Sequence, residues 1–267
     1  MAVVGDVAGH ADELREELVR LGADPATGRL PAGLTVVQVG DLVHRGPDSP
    51  GVVALVDDYL TRQPGQWVQL AGNHEAQYLR EPAFSWPERL DEASAETLRR
   101  WWASGQMRPA TAVRTAEGED VLITHAGLTA GYWVQVLDRV PDAGTAARGL
   151  NSLVGTHEDV LFAAGEMLGG GKPSPLAGPM WAAAGTELVP GWLELPLPFS
   201  QVHGHTSLTD WSSGRLRVRR ELARRTVLDH EAKHETTVLD GGRIVGVDPG
   251  HGTLPRRPWR AWEAALG

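Results

Sequence analysis

Residues 34–46, Leu-Thr-Val-Val-Gln-Val-Gly-Asp-Leu-Val-His-Arg-Gly, pass from an apolar β-type run straight into a glycine-bounded loop bearing Asp41, His44 and Arg45. The pattern recurs on either side. Gly5-Asp6-Val7-Ala8-Gly9 follows Ala2-Val3-Val4, Gly72-Asn73-His74-Glu75 follows Trp67–Leu70, Thr124-His125-Ala126-Gly127 closes Val121–Thr124, and His203-Gly204-His205-Thr206 follows Gln201-Val202. Between the first three blocks the apolar period changes to that of a helix. Leu14, Leu18 and Leu21 share one face of Asp12–Leu21, which stops at Gly22, and Val52, Val53, Leu55, Val56 and Leu60 share one face of Pro50–Leu60. Strands alternating with helices predict βαβ units with functional side chains at the carboxyl ends of parallel strands.

The rest of the chain reads less regularly. A further helix is expected to begin near Asn73, and Ser85–Gly105 reads as helical, with Trp101-Trp102 packed on a sheet or roofing a cleft. Ala110–Arg114 and Val121–Thr124 straddle the turn Glu117-Gly118-Glu119-Asp120 as a hairpin, and Tyr132–Val140 and Ala143–Val154 are helix candidates. Gly165–Gly178 carries Gly169-Gly170-Gly171 and two prolines and is expected to be a loop, possible as a flap over a site. Short strands follow at Gln201–His203, Arg215–Arg219, Thr226–Leu228, Thr236–Leu239 and Arg243–Val247, with Gly241-Gly242 as a hairpin signal between the last two. One domain over 1–267 is expected, with 255–267 as a surface tail.

The 267 residues suffice for a full core, and hydrophobic and charged fractions of 42% and 22% are those of an ordinary globular chain. A net charge of -9 argues against duplex nucleic acid, whose phosphates need a basic face. A phosphorylated substrate stays open, because bound divalent cations invert the field around carboxylates. Without cysteine there is no disulfide and no thiolate site. No apolar stretch reaches the roughly 18 residues of a membrane span, and the chain opens on a strand instead of a signal peptide. A cytoplasmic enzyme with no membrane partner is the expectation.

Hydrolysis of a phosphate ester at neutral pH needs an activated water, neutralised phosphoryl oxygens and a proton for the leaving group. Two divalent ions roughly 3.5–4 Å apart supply the first two. Asp41 is the natural bridge between them, Asp6 a ligand of one ion, and Asn73, His125 and His205 ligands of the other. Oxygen and imidazole ligands suit Mn first, with Fe or Zn as alternatives. His74, beside Asn73, reads as the general acid. Arg45 offers a planar fork for a phosphoryl group, and Asn73 and His44 lie next to it as further substrate contacts.

Gly-Asp-x-x-Gly, Gly-Asp-Leu-Val-x-Arg-Gly, Gly-Asn-His-Glu, His-Ala-Gly and Gly-His-Thr, in this order, resemble the calcineurin-like metallophosphoesterase superfamily. Within it the pattern is similar to the phosphoprotein-phosphatase branch, which includes bacterial serine/threonine phosphatases and symmetrical diadenosine tetraphosphate hydrolases. Gly246-Val247-Asp248-Pro249-Gly250 resembles that family's late turn. The resemblance implies a four-layer α/β/β/α sandwich of two mixed sheets. It also implies in-line attack of a metal-bound hydroxide on a phosphomonoester or a phosphoprotein, with a dinucleoside polyphosphate, such as diadenosine tetraphosphate, as the alternative substrate.

The chain departs from the family at Ala8, where a metal-binding His is usual. His10 or water could substitute, the residue could be engineered, or an ion could be lost, which would leave a metal-impaired, non-catalytic binder of a phosphorylated ligand. His44 stands where protein phosphatases carry an Asp, and Trp181-Ala182-Ala183-Ala184 lacks the family's second Arg. Singly, Asp6 and Asp41 could be turn or capping residues; five ordered blocks make that reading untenable. His203 reads as a ligand or as a half-buried hydrogen-bonding residue, His230 and His234 as a solvated turn, and Arg215–Arg225 as a solvated basic segment. Trp101, Trp102 and Trp133 read as core before base-stacking platforms.

Overall fold

A computed structural model describes residues 1–251 and 258–267. Two mixed sheets face each other. The first runs, in spatial order, Trp262–Glu263, Ala2–Val4, Val36–Gln38, Trp67–Leu70 and Met107–Arg108; the last four are parallel to one another and Trp262–Glu263 is antiparallel. The second runs Thr226–Asp229, His234–Leu239, Gly242–Gly246, Ser200–His203, Asp120–Thr124 and Ala110–Arg114. The period-2 alternation of strands sorts their side chains between layers. Val3, Val37, Val39 and Leu70 point to the second sheet and meet Val121, Ile123, Val202, Val245 and Val247. Ala2, Val4 and Val36 point the other way, onto Leu14, Leu18, Val52 and Val56 of the flanking helices. On the far side, Ala110 and Leu122 pack under Ala143, Ala146 and Leu150. The result is the expected α/β/β/α sandwich.

The helices begin where the sequence supplies acceptors. Asp48 caps Ser49–Arg62 through Gly51 N–H at 2.8 Å, Asp91 caps Glu92–Ser104 through Ser94 N–H at 2.9 Å, and Asp142 caps Ala143–Asn151 through Thr145 N–H at 2.7 Å. Three expectations need correcting. Ser85–Gly105 is helical only over Glu92–Ser104, because Pro87 lacks an N–H and disfavours helical backbone at Trp86. Tyr132–Val140 is replaced by Ala130–Gln135, capped by Thr129 and followed by left-handed Asp138 and Arg139. The tail is no surface strap where it is described. Trp259 and Ala261 are buried, and Trp262–Glu263 pairs as an edge strand with Ala2 and Val3; residues 252–257 lie outside the described chain.

Gly165–Gly178 is a loop as expected, and it is tied at both ends. The buried Glu187 carboxylate accepts N–H groups from Glu166 (2.9 Å), Ser174 (2.7 Å) and Ala183 (2.8 Å). His234 is not in a solvated turn but opens a strand, is buried, and sits 2.8 Å from the Arg260 carbonyl through Nε2. Trp101 and Trp192 are core residues, Trp133 packs against Trp192, and Trp102 packs beside Phe162. Among the described residues no helix is long and apolar enough to cross a membrane.

Glu235, on the strand beside Gly242–Gly246, is 1% exposed, and its Oε1 accepts Leu208 N–H at 2.6 Å. Burial pushes its carboxyl up from 4.5 to about 7. The folded protein therefore keeps this proton where the unfolded chain has lost it, and stability falls as pH climbs from 4.5 toward 7. Glu235→Gln should raise stability by roughly 2–3 kcal/mol at pH 8 and change little at pH 5. Thermal melts of both proteins at the two pH values check this; an equal effect at both would refute the assignment.

Candidate metal centre

The motif loops converge where the carboxyl ends of the two sheets meet. Gly5 marks the contact: a Cβ there would lie 2.0 Å from the Val247 carbonyl oxygen, so only glycine lets the two backbones touch. Val7 and Ala8 N–H both donate to the Asp41 carbonyl, and Gly9 N–H donates to that of Leu42, which ties the first loop to the second. Ala8, Asp41, His44, Arg45 and His205 all adopt positive φ, between 48° and 73°. Non-glycine residues in that region are held there at a cost by their surroundings, and such residues cluster at functional sites.

Around Asp41 the ligating atoms crowd together. The inward-facing atom of the Asn73 amide, placed as Oδ1, lies 3.0 Å from His205 Nδ1, 3.1 Å from His125 Nε2, and 3.3 and 3.2 Å from the two Asp41 oxygens. His125 Nε2 is 3.4 Å from Asp41 Oδ1. Every one of these atoms carries a lone pair, and rotating the amide by half a turn is the only way for Asn73 to satisfy them without a cation. Separations of about 3.0–3.4 Å are those between neighbouring ligands about 2.0–2.2 Å from one ion. The group therefore fits a divalent metal. His125 is set for it: the ring Nδ1 lies 3.0 Å from the Val39 carbonyl, which fixes its proton there and leaves Nε2 bare. Burial drives the His125 imidazole below its usual value and takes that of His205 to about 3. For Asp41, burial pushes upward, but His125, His74 and His205 outweigh it and hold the carboxyl at about 2.

Asp6 closes the other end, its two oxygens accepting His205 N–H at 3.0 and 3.1 Å. His10 does not join this group. Its Nδ1 lies 3.5 Å from Glu13 Oε1 and its ring stacks on His251 at 4.4 Å, on the helix side of Ala8. His203 is buried, deeper than the half-buried place the sequence reading weighs against a ligand, with Nδ1 on the Gly204 carbonyl. His44 is buried behind His74, Nδ1 to Nδ1 at 2.6 Å, and its Nε2 lies 2.6 Å from the Tyr78 hydroxyl, which itself accepts Leu90 N–H. Arg45 stands over the Trp86 ring at 4.9 Å.

Two clefts open from Asp41. One, of about 240 Å³, is lined by Asn73, His74, Phe84, Trp86, Trp181 and Arg45; the other, of about 650 Å³, by Asp6, Ala8, Asp210, Arg217, Asp248 and His251. Arg45, Met167 and His205 border both. The sequence reading missed the aromatic wall: Trp86 falls in the stretch it assigns to a helix, and Phe84 just before it was given no role. It also missed Asp248, and it gave no role to Glu75.

Glu75 is fully buried and accepts three backbone donors, Asp41 N–H at 2.8 Å, Gly72 N–H at 2.8 Å and Leu42 N–H at 2.8 Å. It pins the loop carrying Asp41 to the loop carrying Asn73 and His74. Burial and the Asp41 charge push its carboxyl up to about 8 in spite of those donors. The acid three residues after Gly72, reaching back to its N–H, is the signal that could have revealed it.

The model of the calcineurin-like phosphoesterase family matches residues 1–226, and the chain belongs to that family. The family so described is one of phosphoesterases. Two curated relatives match over short stretches. A zinc-dependent endopolyphosphatase of Saccharomyces cerevisiae is 38% identical over 72 residues, and an asymmetrical bis(5'-nucleosyl)-tetraphosphatase of Halalkalibacterium halodurans is 38% identical over 74. Each stretch covers 27% of this chain, but only 19% and 29% of the respective relative, well under two thirds of its length. A cold-active protein-tyrosine phosphatase of a psychrophilic Shewanella species shares the fold, with a TM-score of 0.54 at 17% identity over 96% of this chain and 72% of that one.

Glu75→Gln replaces one acceptor oxygen by a donor facing backbone N–H groups. Metal affinity should fall about 10–100-fold, as for other residues that orient ligands from behind. Calorimetric titration of the metal-stripped protein with Mn²⁺ measures it; an unchanged affinity would remove Glu75 from this role.

Proposed function

We propose that the chain hydrolyses a phosphate ester whose leaving group carries an aromatic ring, such as an aryl phosphomonoester or a phosphorylated aromatic side chain. The observation that carries this reading is the smaller cleft, where Arg45 and His74 meet the Phe84, Trp86 and Trp181 rings directly beside the Asp41–Asn73–His125–His205 cluster. Asp6 and Asp41 would hold one divalent ion and Asp41, Asn73, His125 and His205 a second, with Mn favoured over Fe or Zn. When bound, the pair supplies an activated water and charge neutralisation.

The chain's own groups supply the rest. Arg45, fixed over Trp86, presents its fork to two phosphoryl oxygens. Tyr78 takes Leu90 N–H on its oxygen and gives its own proton to His44 Nε2. His44 then carries its proton on Nδ1 and donates to His74 Nδ1, which leaves the His74 proton on Nε2. That atom faces the cleft, 3.9 Å from Asp41 Oδ2. His74 thus presents an N–H donor to the leaving oxygen, with its ring oriented by the His44–Tyr78 chain. The rings flanking His74 exclude water from this donor: Trp86 lies at 4.9 Å and Phe84 at 5.5 Å, each edge to face. His44 does here the orienting work for which the sequence resemblance expects an Asp.

A dinucleoside polyphosphate is the second reading. The larger cleft favours it, since it continues past Asp41 and would receive a second phosphate or nucleoside; the tetraphosphatase relative points the same way. Turnover separates the two. On aryl phosphates, His74→Asn should cost about 10²–10⁴ in kcat, and Arg45→Ala about 10–100-fold in kcat/KM. Trp86→Ala should raise KM for aryl but not for alkyl phosphates. A higher kcat/KM on diadenosine tetraphosphate than on any aryl phosphate would overturn the first reading in favour of the second. Binding without turnover of either, with metal bound, would make the protein a non-catalytic binder.

A further inference from the structure

His10, Glu13 and His251 meet outside the Asp41 cluster, and the proposed reaction uses none of them. A ligand atom of each lies within 4.8 Å of the other two. His10 and Glu13 are one turn apart at the start of the helix Ala11–Arg20, and His251 arrives from the turn after the Gly242–Gly246 strand. One carboxylate oxygen faces each imidazole: His10 Nδ1 is 3.5 Å from Glu13 Oε1, and His251 Nε2 is 3.8 Å from Glu13 Oε2. Ligands about 2.0–2.2 Å from a tetrahedral zinc ion stand about 3.3–3.6 Å from one another. The first separation is already of that size, and the second exceeds it by no more than about 0.5 Å. The carboxylate is also oriented from behind, since the Trp259 indole N–H donates to Glu13 Oε2 at 3.2 Å.

His251 supplies a second, independent observation. Its Nε2 is buried without a hydrogen-bond partner, because 3.8 Å to Glu13 is beyond bonding distance. Buried polar atoms are almost always satisfied, and a cation would satisfy this one together with its neighbours. The His10 and His251 rings are stacked, with centroids 4.4 Å apart and planes 22° from parallel, so sharing an ion requires one ring to turn about its Cβ–Cγ bond. His10 can turn: its side chain is 22% exposed and, although it stands at the N-cap, makes no cap hydrogen bond.

We infer that His10, Glu13 and His251 form a Zn²⁺ site separate from the Asp41 centre, fastening the late turn of the chain to its first helix. Two imidazoles and one carboxylate are a donor set that zinc favours, with water as the fourth ligand. His10 is then a metal ligand, as the sequence suggests, but of a different ion. Because the three residues come together only in the folded chain, the ion stabilises the fold.

The test reads stability and metal content, and neither readout needs turnover. His10→Ser removes an imidazole and installs a better helix cap, so the metal-stripped variant should melt no lower than metal-stripped wild type. Zn²⁺ at a hundredfold excess over Kd should raise the wild-type Tm about 5–10 °C more than that of His10→Ser. By mass spectrometry, wild-type protein gel-filtered from Zn²⁺ should carry one more ion per chain than His10→Ser or His251→Gln. In an Asp41→Asn background, which strikes the other centre, His251→Gln should still remove one ion. Equal zinc counts in wild type and both single variants, or an equal rise in Tm, would overturn the site. So would a loss seen only while Asp41 is intact, which would assign the missing ion to the Asp41 centre.

Discussion

Three backbone N–H groups converge on one buried carboxylate, that of Glu75, and the geometry of the centre depends on them. Asp41 and Leu42 lie after the second strand of the first sheet, Gly72 after the third. Parallel strands end side by side, but nothing in strand pairing dictates how the loops beyond them curl. Glu75 fixes that. With Asp41 N–H and Gly72 N–H on the same oxygen, Asp41 and Asn73 are set at ligand distance, and His74 N–H can reach Asp41 Oδ1 at 3.0 Å. A Cβ on Gly72 would come within 2.3 Å of Asp41 N and Oδ1, so the approach also demands glycine there. The acid and the glycine are two halves of one constraint.

The second constraint is the facing of the sheets. His125 and His205 come from the second sheet and Asp6, Asp41 and Asn73 from the first, so the ligand set exists only because the valine layer between the sheets holds them in register. The strained residues lie along this seam. Ala8, Asp41, His44, Arg45 and His205 pay for positive φ with the bonds their loops make: Gly46 N–H to the Ala8 carbonyl, His44 N–H to Ser49 Oγ, Gly204 N–H to the His125 carbonyl. Each turns a side chain or carbonyl inward that an extended backbone would turn out.

Much of this was legible in the sequence because the relevant signals are local. Asp6, Asp41, Asn73, His125 and His205 sit at strand ends marked by apolar runs, and the structure brings all five to one place. His74 and Arg45 border the same cleft. What could not be read depends on contacts far apart in the chain. His10 sits two residues from the vacant position, but its ring is drawn to Glu13 and His251, and His251 is distant in sequence. Phe84 and Trp86 lie in a segment interrupted by Pro82 and Pro87, the second within the stretch read as a helix, and only their packing over His74 gives them meaning. Asp248 belongs to a turn that comes to the site only because Gly5 lets the Val247 carbonyl approach. The tail was misread for the same reason: its alternation is too short to mark a strand until the Ala2–Val4 edge is there to pair with it.

The charges of the centre divide unequally, and the division bears on how ions enter. Asp41 is held at about 2 by the imidazoles of His125, His74 and His205, whereas Asp6 and Asp248 are pushed upward, chiefly by burial. With Asp41 ionised beside the bare Nε2 of His125, the cluster of Asp41, Asn73, His125 and His205 offers a cation one full charge and several lone pairs in one buried place, and that concentration of acceptors is what the loops are folded to hold together.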